Sequence, residues 1–283
     1  MSGSVLFDAP GPRTIARHRL YTVLTLLAVA AAVAFLLFQL QSKGQFEGDK
    51  WEVFTTPGYL ETILVDGLLN TLKMAAGAIV GALVLGVLLG VGKLSDHRLV
   101  RMPCWAFVEF FRALPVLMLM IIFFSAYGIT RGESGAFWCV VWALSLYNGA
   151  VLAEVFRAGV LAVPPGQAEA AYALGLRKTQ VMRVILLPQA VKIMIPAIIS
   201  QCVVALKDTS LGYAITAPGL TAIGKPIYLE FQNHVPVIFV LGAMYVGVNL
   251  VLTGAATWAQ RKFVGEKKPL EVAMVGETDP RSI

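Results

Sequence analysis

Apolar and polar residues along this chain fall into long blocks rather than the short periods of a soluble domain. Leu20 to Leu40 is an almost unbroken apolar stretch of about twenty residues, which at about 1.5 Å each is enough to cross a hydrocarbon layer about 30 Å thick. Ile63 to Val91 forms a second, interrupted by Asp66, Asn70 and Lys73, and Pro103–Tyr127, Ala136–Phe156, Ile185–Leu206 and Val235–Trp258 follow. The pattern predicts an all-α integral membrane protein with about six transmembrane helices. The basic flank and the small residues Ala28 to Ala32 of the first stretch are also features of a secretory signal, but its length and the spans behind it predict an uncleaved anchor. The chain divides into a polar, disordered leader (1–19), a first helix with its loop (20–62), a core of five further helices (63–263) and a flexible charged tail (264–283).

Composition narrows the class. With 57% hydrophobic and 14% charged residues, a chain of 283 residues lacks the polar shell of a soluble domain. The net charge of +6 lies in short clusters beside the apolar runs, not on one basic face, which argues against a nucleic-acid partner. If the ends are cytoplasmic, fifteen Lys and Arg residues fall in inner segments and only Lys43, Lys50, Arg131, Lys207 and Lys225 in outer ones. Lys73, Arg112 and Lys192 lie within predicted spans, and the asymmetry predicts both termini in the cytoplasm. Cys104, Cys139 and Cys202 are scattered through apolar stretches, and His18, His97 and His234 are equally dispersed, so no metal centre is implied. Gly77 with Gly81 and Gly86 with Gly90 place small residues four apart, a spacing that lets another helix backbone approach closely in lipid.

One polar interruption, Glu154 to Ala190, carries a local pattern of its own. Pro164, Pro165 and Gly166 stop the preceding helix, Gln167 to Leu174 is built of strong helix formers, and Gly175 stands where a left-handed cap is wanted. Thr179 is positioned to cap a second helix, which Pro188 then kinks or interrupts. The spacing predicts a helical hairpin over 158–184, on the cytoplasmic side. Two pairs three residues apart, Glu109 with Arg112 and Glu154 with Arg157, share helix faces and predict ion pairs near or within the membrane.

The order Glu169-Ala170-Ala171, Gly175, Ile185, Leu187-Pro188 resembles the EAA loop of the membrane subunits of bacterial ABC importers. Pro165-Gly166-Gln167 and Pro188-Gln189-Ala190 are similar to the branch that handles polar and charged amino acids, and the whole looks most like glutamate and aspartate permeases. The resemblance spans roughly Gly67 to Phe263. It implies a type I importer permease (MetI-like) core with a translocation path near the midplane. It also implies that Gly166, Glu169, Ala170, Ala171 and Gly175 couple to a separate ATPase. ATP and Mg would bind two such ATPase subunits, with no cofactor in this chain, and the partners would be a second permease (a similar hetero-partner or another copy), an extracytoplasmic substrate-binding protein and the bilayer.

Phe110-Phe111-Arg112 with Pro115, Tyr147-Asn148 with Glu154, and Lys207-Asp208-Thr209-Ser210-Leu211 are similar to signatures of amino-acid permeases, and the resemblance places these residues around the path. Ala113-Leu114 stands where many relatives read Gly-Thr, and Leu119 where many carry Gln, so local substrate contacts do not transfer there. Gly219 to Gly224-Lys225 mimics part of a phosphate-binding loop, but Pro226 replaces the magnesium ligand. Arg112 and Lys207 supply cations for a dianionic substrate, and the expected substrate is L-glutamate, with aspartate a close competitor. Alternatives are a permease for another polar or basic amino acid, a non-transporting membrane sensor or scaffold, and an ATP-independent channel. An intramembrane enzyme finds no nucleophile–base set among the motifs.

Overall fold

The structure, a computed structural model, describes residues 11–264; the expectations for 1–10 and 265–283 lie outside the described residues. Among the described residues every regular element is helical. The first helix, α1, runs Pro12–Ser42 and so begins well before Leu20. Pro12 suits a first turn, and nothing between it and the apolar run breaks a helix, so Arg13, Arg17 and Arg19 lie within α1 rather than in a leader. Gly44, with φ +64°, ends it: the Gly44 N–H donates to the Gln41 carbonyl and the Gln45 N–H to that of Leu40.

Next come α2 (Pro57–Lys93) and α3 (Arg98–Ala113). The following helix, α4 (Val116–Phe123), is prolonged to Gly128 by a π turn, and α5 (Gly132–Leu161) succeeds it. Beyond α5 lie α6 (Pro165–Ala173), α7 (Lys178–Ile215), α8 (Leu220–Phe231) and α9 (His234–Val264). The expected span Pro103–Tyr127 is not one helix. Leu114 is extended (φ −84°, ψ 135°) because Pro115 disfavours a helical conformation in the residue before it, and α3 and α4 meet at that break. The long connection between the predicted spans Ile185–Leu206 and Val235–Trp258 contains α8, whose Leu220 and Ile227 pack with Ile63, Val237 and Leu241.

Helix α5 is the axis of the core. A side chain at Gly77 would meet Val141, at Gly81 Ser145, at Gly86 Leu152 and at Gly90 Phe156, so α2 runs parallel to α5 with its glycines against it. The intervening chain runs the other way: Phe123 meets Trp142 edge to face at 6.5 Å, and Val108 packs with Ala150 and Ala153. Residues 98–128 therefore return along α5, and two parallel helices are joined by an antiparallel leg. Five helical runs are long and apolar enough to cross a membrane. The third of them, Val116–Leu161, is 46 residues, about twice what one crossing needs, and contains the reversal at Gly132, where φ is +58°. The 43–54 segment is pinned over the start of α9, where Asn233 Nδ2 donates to the Lys50 carbonyl at 2.9 Å and Trp51 meets Phe239 edge-on.

Candidate functional site: a buried charge cluster and a coupling hairpin

The two ion pairs expected from spacing both form, and the structure fuses them. Arg157 Nη2 lies 2.6 Å from Glu154 Oε1, and Arg112 Nη1 3.5 Å from Glu109 Oε1. Lys93, the last residue of α2, reaches between them, 2.6 Å from Glu154 Oε2 and 3.4 Å from Glu109 Oε1. Its side chain is only 4% exposed, and an ammonium buried that deeply requires the counter-charge that α3 and α5 provide. A cavity of about 540 Å³ opens on this cluster, walled on the α3 side by Arg101, Met102 and Trp105. Lys93, Arg101 and Arg157 face Glu109 and Glu154 around it, which gives an excess of positive charge. The apolar pattern ends the second span at Val91 and leaves Lys93 outside it, so the sequence shows no sign of this cluster beyond a lone cation closing a long apolar run.

Asn148 is buried just under two turns before Glu154. Its Oδ1 accepts from Gln201 Nε2 at 2.5 Å and its Nδ2 donates to the Leu144 carbonyl, so the amide ties α5 to α7. Pro115 is exposed at the α3–α4 break. Thr209 is buried, its hydroxyl donating to the Leu206 carbonyl at 2.6 Å, and Asp208 is half-buried. Lys207 and Ser210 line a different cavity, about 770 Å³ and largely apolar, between α7, α8 and α9. Arg112 and Lys207 thus belong to separate clusters, not to one pocket. Two buried oxygens on α9, the Tyr245 hydroxyl and Asn249 Oδ1, find no hydrogen-bond partner among the described residues, and both residues line the Lys207 cavity. An amide in the last apolar run was the available signal for Asn249.

The hairpin is built by local chemistry. Pro165 opens α6, and Gly175 closes it at φ +79°: the Gly175 N–H donates to the Tyr172 carbonyl and the Leu176 N–H to that of Ala171. Thr179 is not the next cap. Arg177 occupies that position, and Gln180 Oε1 accepts the Arg177 N–H at 2.8 Å. A π turn over Val181–Leu186 precedes Pro188, whose missing N–H leaves the helix ladder incomplete there. Gly166, Glu169, Ala170 and Gly175 face outward. Ala171 is buried at 4% exposure, so it seats α6 on the protein instead of offering a surface. Leu174, 82% exposed, and the exposed Tyr172 are unpacked apolar groups at the end of the same helix. Lys178 pairs with Asp96 in the α2–α3 turn, and that ammonium holds the Asp96 carboxyl below the usual carboxylate range.

Comparison with known proteins places this architecture. Residues 82–265 match the family described as binding-protein-dependent transport system inner membrane component. The glutamate transport system permease protein GluD of Corynebacterium glutamicum is 40% identical over 242 residues, covering 84% of this chain and 89% of GluD. The arginine transport system permease protein ArtQ of Bacillus subtilis is 32% identical, covering 70% of this chain and 91% of ArtQ. Among solved structures, an amino acid ABC transporter crystallised with histidines matches with a TM-score of 0.67 at 26% identity, over 74% of this chain and 98% of that one. The inward-facing MetNI methionine transporter, 23% identical, shares the fold with a TM-score of 0.62 over 71% of this chain and 95% of that one. With its parallel α2–α5 core and its outward-facing hairpin, this chain is a multi-pass membrane protein of the binding-protein-dependent transport system inner membrane component family, the permease part of an ABC importer and not itself an ATPase.

Proposed function

We propose that this permease carries L-glutamate, with aspartate as its close competitor, across the cell membrane in an ATP-driven importer with both termini in the cytoplasm. The observation that carries the substrate is the 40% identity to a glutamate permease over 84% of the chain. The cationic excess around the Lys93 cavity is consistent with it, because a dicarboxylate entering a poorly solvated site needs positive partners to offset its lost hydration. Arg112, Pro115, Asn148, Glu154, Lys207, Asp208, Thr209 and Ser210 border the path. Gly166, Glu169, Ala170 and Gly175, seated by Ala171, meet the ATPase. The assembly contains two ATPase subunits that bind ATP and Mg, an extracytoplasmic substrate-binding protein, and a second permease of similar fold.

A second reading, a basic amino acid, draws on Glu109 and Glu154 at the same cavity and on relatives named for arginine and histidine transport. Uptake of labelled glutamate by the importer reconstituted in vesicles, challenged with unlabelled amino acids, separates the two. Aspartate competes and arginine does not if the acidic reading holds; competition by arginine or glutamine alone overturns it. Arg112→Lys should weaken glutamate uptake, since Lys lacks the paired donors of a guanidinium. Unchanged uptake in that variant would leave Arg112 a structural partner of Glu109.

A further inference from the structure

Between the ends of α2, α5 and α7 nearest the hairpin lies a groove of about 640 Å³ that neither cluster uses. One end of it is apolar, walled by Val87, Val91, Phe156, Leu187 and Val191. Val87, Val91, Leu187 and Val191 are 39–63% exposed, so this is an open wall and not packed core. The other end is polar, with His97, Lys178 and Arg183 and a single carboxylate, Asp96, already paired with Lys178. Lys93 ends α2 and Lys178 begins α7, so the polar mouth sits at the level where helices leave the bilayer. A hydrocarbon wall below a cationic mouth complements a molecule with an acyl chain and an anionic head.

We infer that an anionic phospholipid of the cytoplasmic leaflet occupies this groove, its phosphate between Lys178 and Arg183 and one acyl chain along Val87, Val91 and Leu187. Arg183 can grip a phosphate through two parallel hydrogen bonds, and Lys178 adds a point charge. A zwitterionic lipid would bring an ammonium to a mouth that is already cationic. Another apolar body available is α1, whose apolar window is uncovered. Its basic end carries Arg13, Arg17 and Arg19, however, and seating it here would gather five cations. The lipid bridges the α2–α3 turn and the hairpin, two segments that the Asp96–Lys178 pair also joins across the mouth. This inference rests on the cytoplasmic placement of the hairpin proposed above, but its test reads lipid retention rather than transport, so failure of one does not imitate failure of the other.

The purified importer, stripped of lipid and then equilibrated with phosphatidylglycerol or phosphatidylcholine, is weighed by native mass spectrometry. The expected result is at least a fivefold preference for retained phosphatidylglycerol, reduced about tenfold or more in Arg183→Gln and abolished in Val91→Trp, which fills the apolar end. In the unsubstituted protein, a photoreactive phosphatidylglycerol should cross-link to Leu187 or its neighbours, a readout that does not depend on any variant folding. Equal retention of the two lipids, retention indifferent to both substitutions, or a ready disulfide between Val91→Cys and Tyr21→Cys of a second copy would each overturn the assignment.

Discussion

Helices α1 and α5 have nearly equal length, 31 and 30 residues, yet they meet opposite fates. Helix α1 is the most apolar of the five membrane-length runs and none of its apolar window is buried, whereas 67% of the corresponding window in the Val116–Leu161 run is covered. In water the ranking would be reversed. In lipid, Leu and Val gain little by leaving the hydrocarbon, and what draws helices together is close packing and polar pairing. Helix α5 has both: Gly149 lies against Ala82 and Leu85, Ser145 against Gly81, and Asn148 and Glu154 bind α7 and α2. Helix α1 has no glycine and no polar side chain through its apolar centre.

The comparison breaks first at its polar joints. Glu154→Gln should cost about 2–3 kcal/mol, toward the lower end for a broken buried pair because Glu154 is a quarter exposed, since it strips Lys93 of its shorter partner. Chemical denaturation of the purified permease measures this, and combining it with Lys93→Met should reveal a coupling of about 1–3 kcal/mol. Packing comes next. Gly86→Leu would drive a side chain into Leu152 and the backbone of α5 and should destabilise by about 1–3 kcal/mol, while Ala31→Leu on α1 should stay within about 0.5 kcal/mol. Equal losses at the two positions would mean that α1 is packed in the membrane.

The smallest effect belongs to Asp96→Asn. The Asp96 carboxyl titrates below its unfolded value, so the contribution of its pair with Lys178 is complete above about pH 4 and fades as pH falls through the lower folded value. Hydrogen exchange in the 95–97 and 177–179 backbones should therefore be faster in the variant than in the parent by a constant factor between pH 6 and 8, and the difference should close in acid as the parent's carboxylate becomes protonated.

The same contrast explains what could be read from residue order. The hairpin was legible because it is local: two prolines, seven helix formers and two glycines determine it within a dozen residues. The pairs at i and i+3 were legible for the same reason. Lys93 was not, because its partners arrive from α3 and α5, sixteen and sixty-one residues away. Pro115 was read as part of the path, although its plainest effect is to divide α3 from α4. Helix α8 was missed because a membrane-scale reading passes over an amphipathic segment of 12 residues, even though Leu220, Gly224 and Ile227 mark one buried face. Ala171 was read as a contact because a motif specifies spacing but not which way a helix faces.

Coupling of this permease to its ATPase through the hairpin, as proposed above, is probed by Gly175→Asp. No atom lies within 4 Å of the added Cβ, so the cost to folding is that of a left-handed backbone, about 1–2 kcal/mol. The reconstituted importer carrying the variant should keep the permease folded in the membrane while losing glutamate uptake and substrate-stimulated ATP hydrolysis together, with less ATPase copurifying. Uptake and stimulated hydrolysis both at the unsubstituted level would contradict the account and leave the hairpin a connector between two spans.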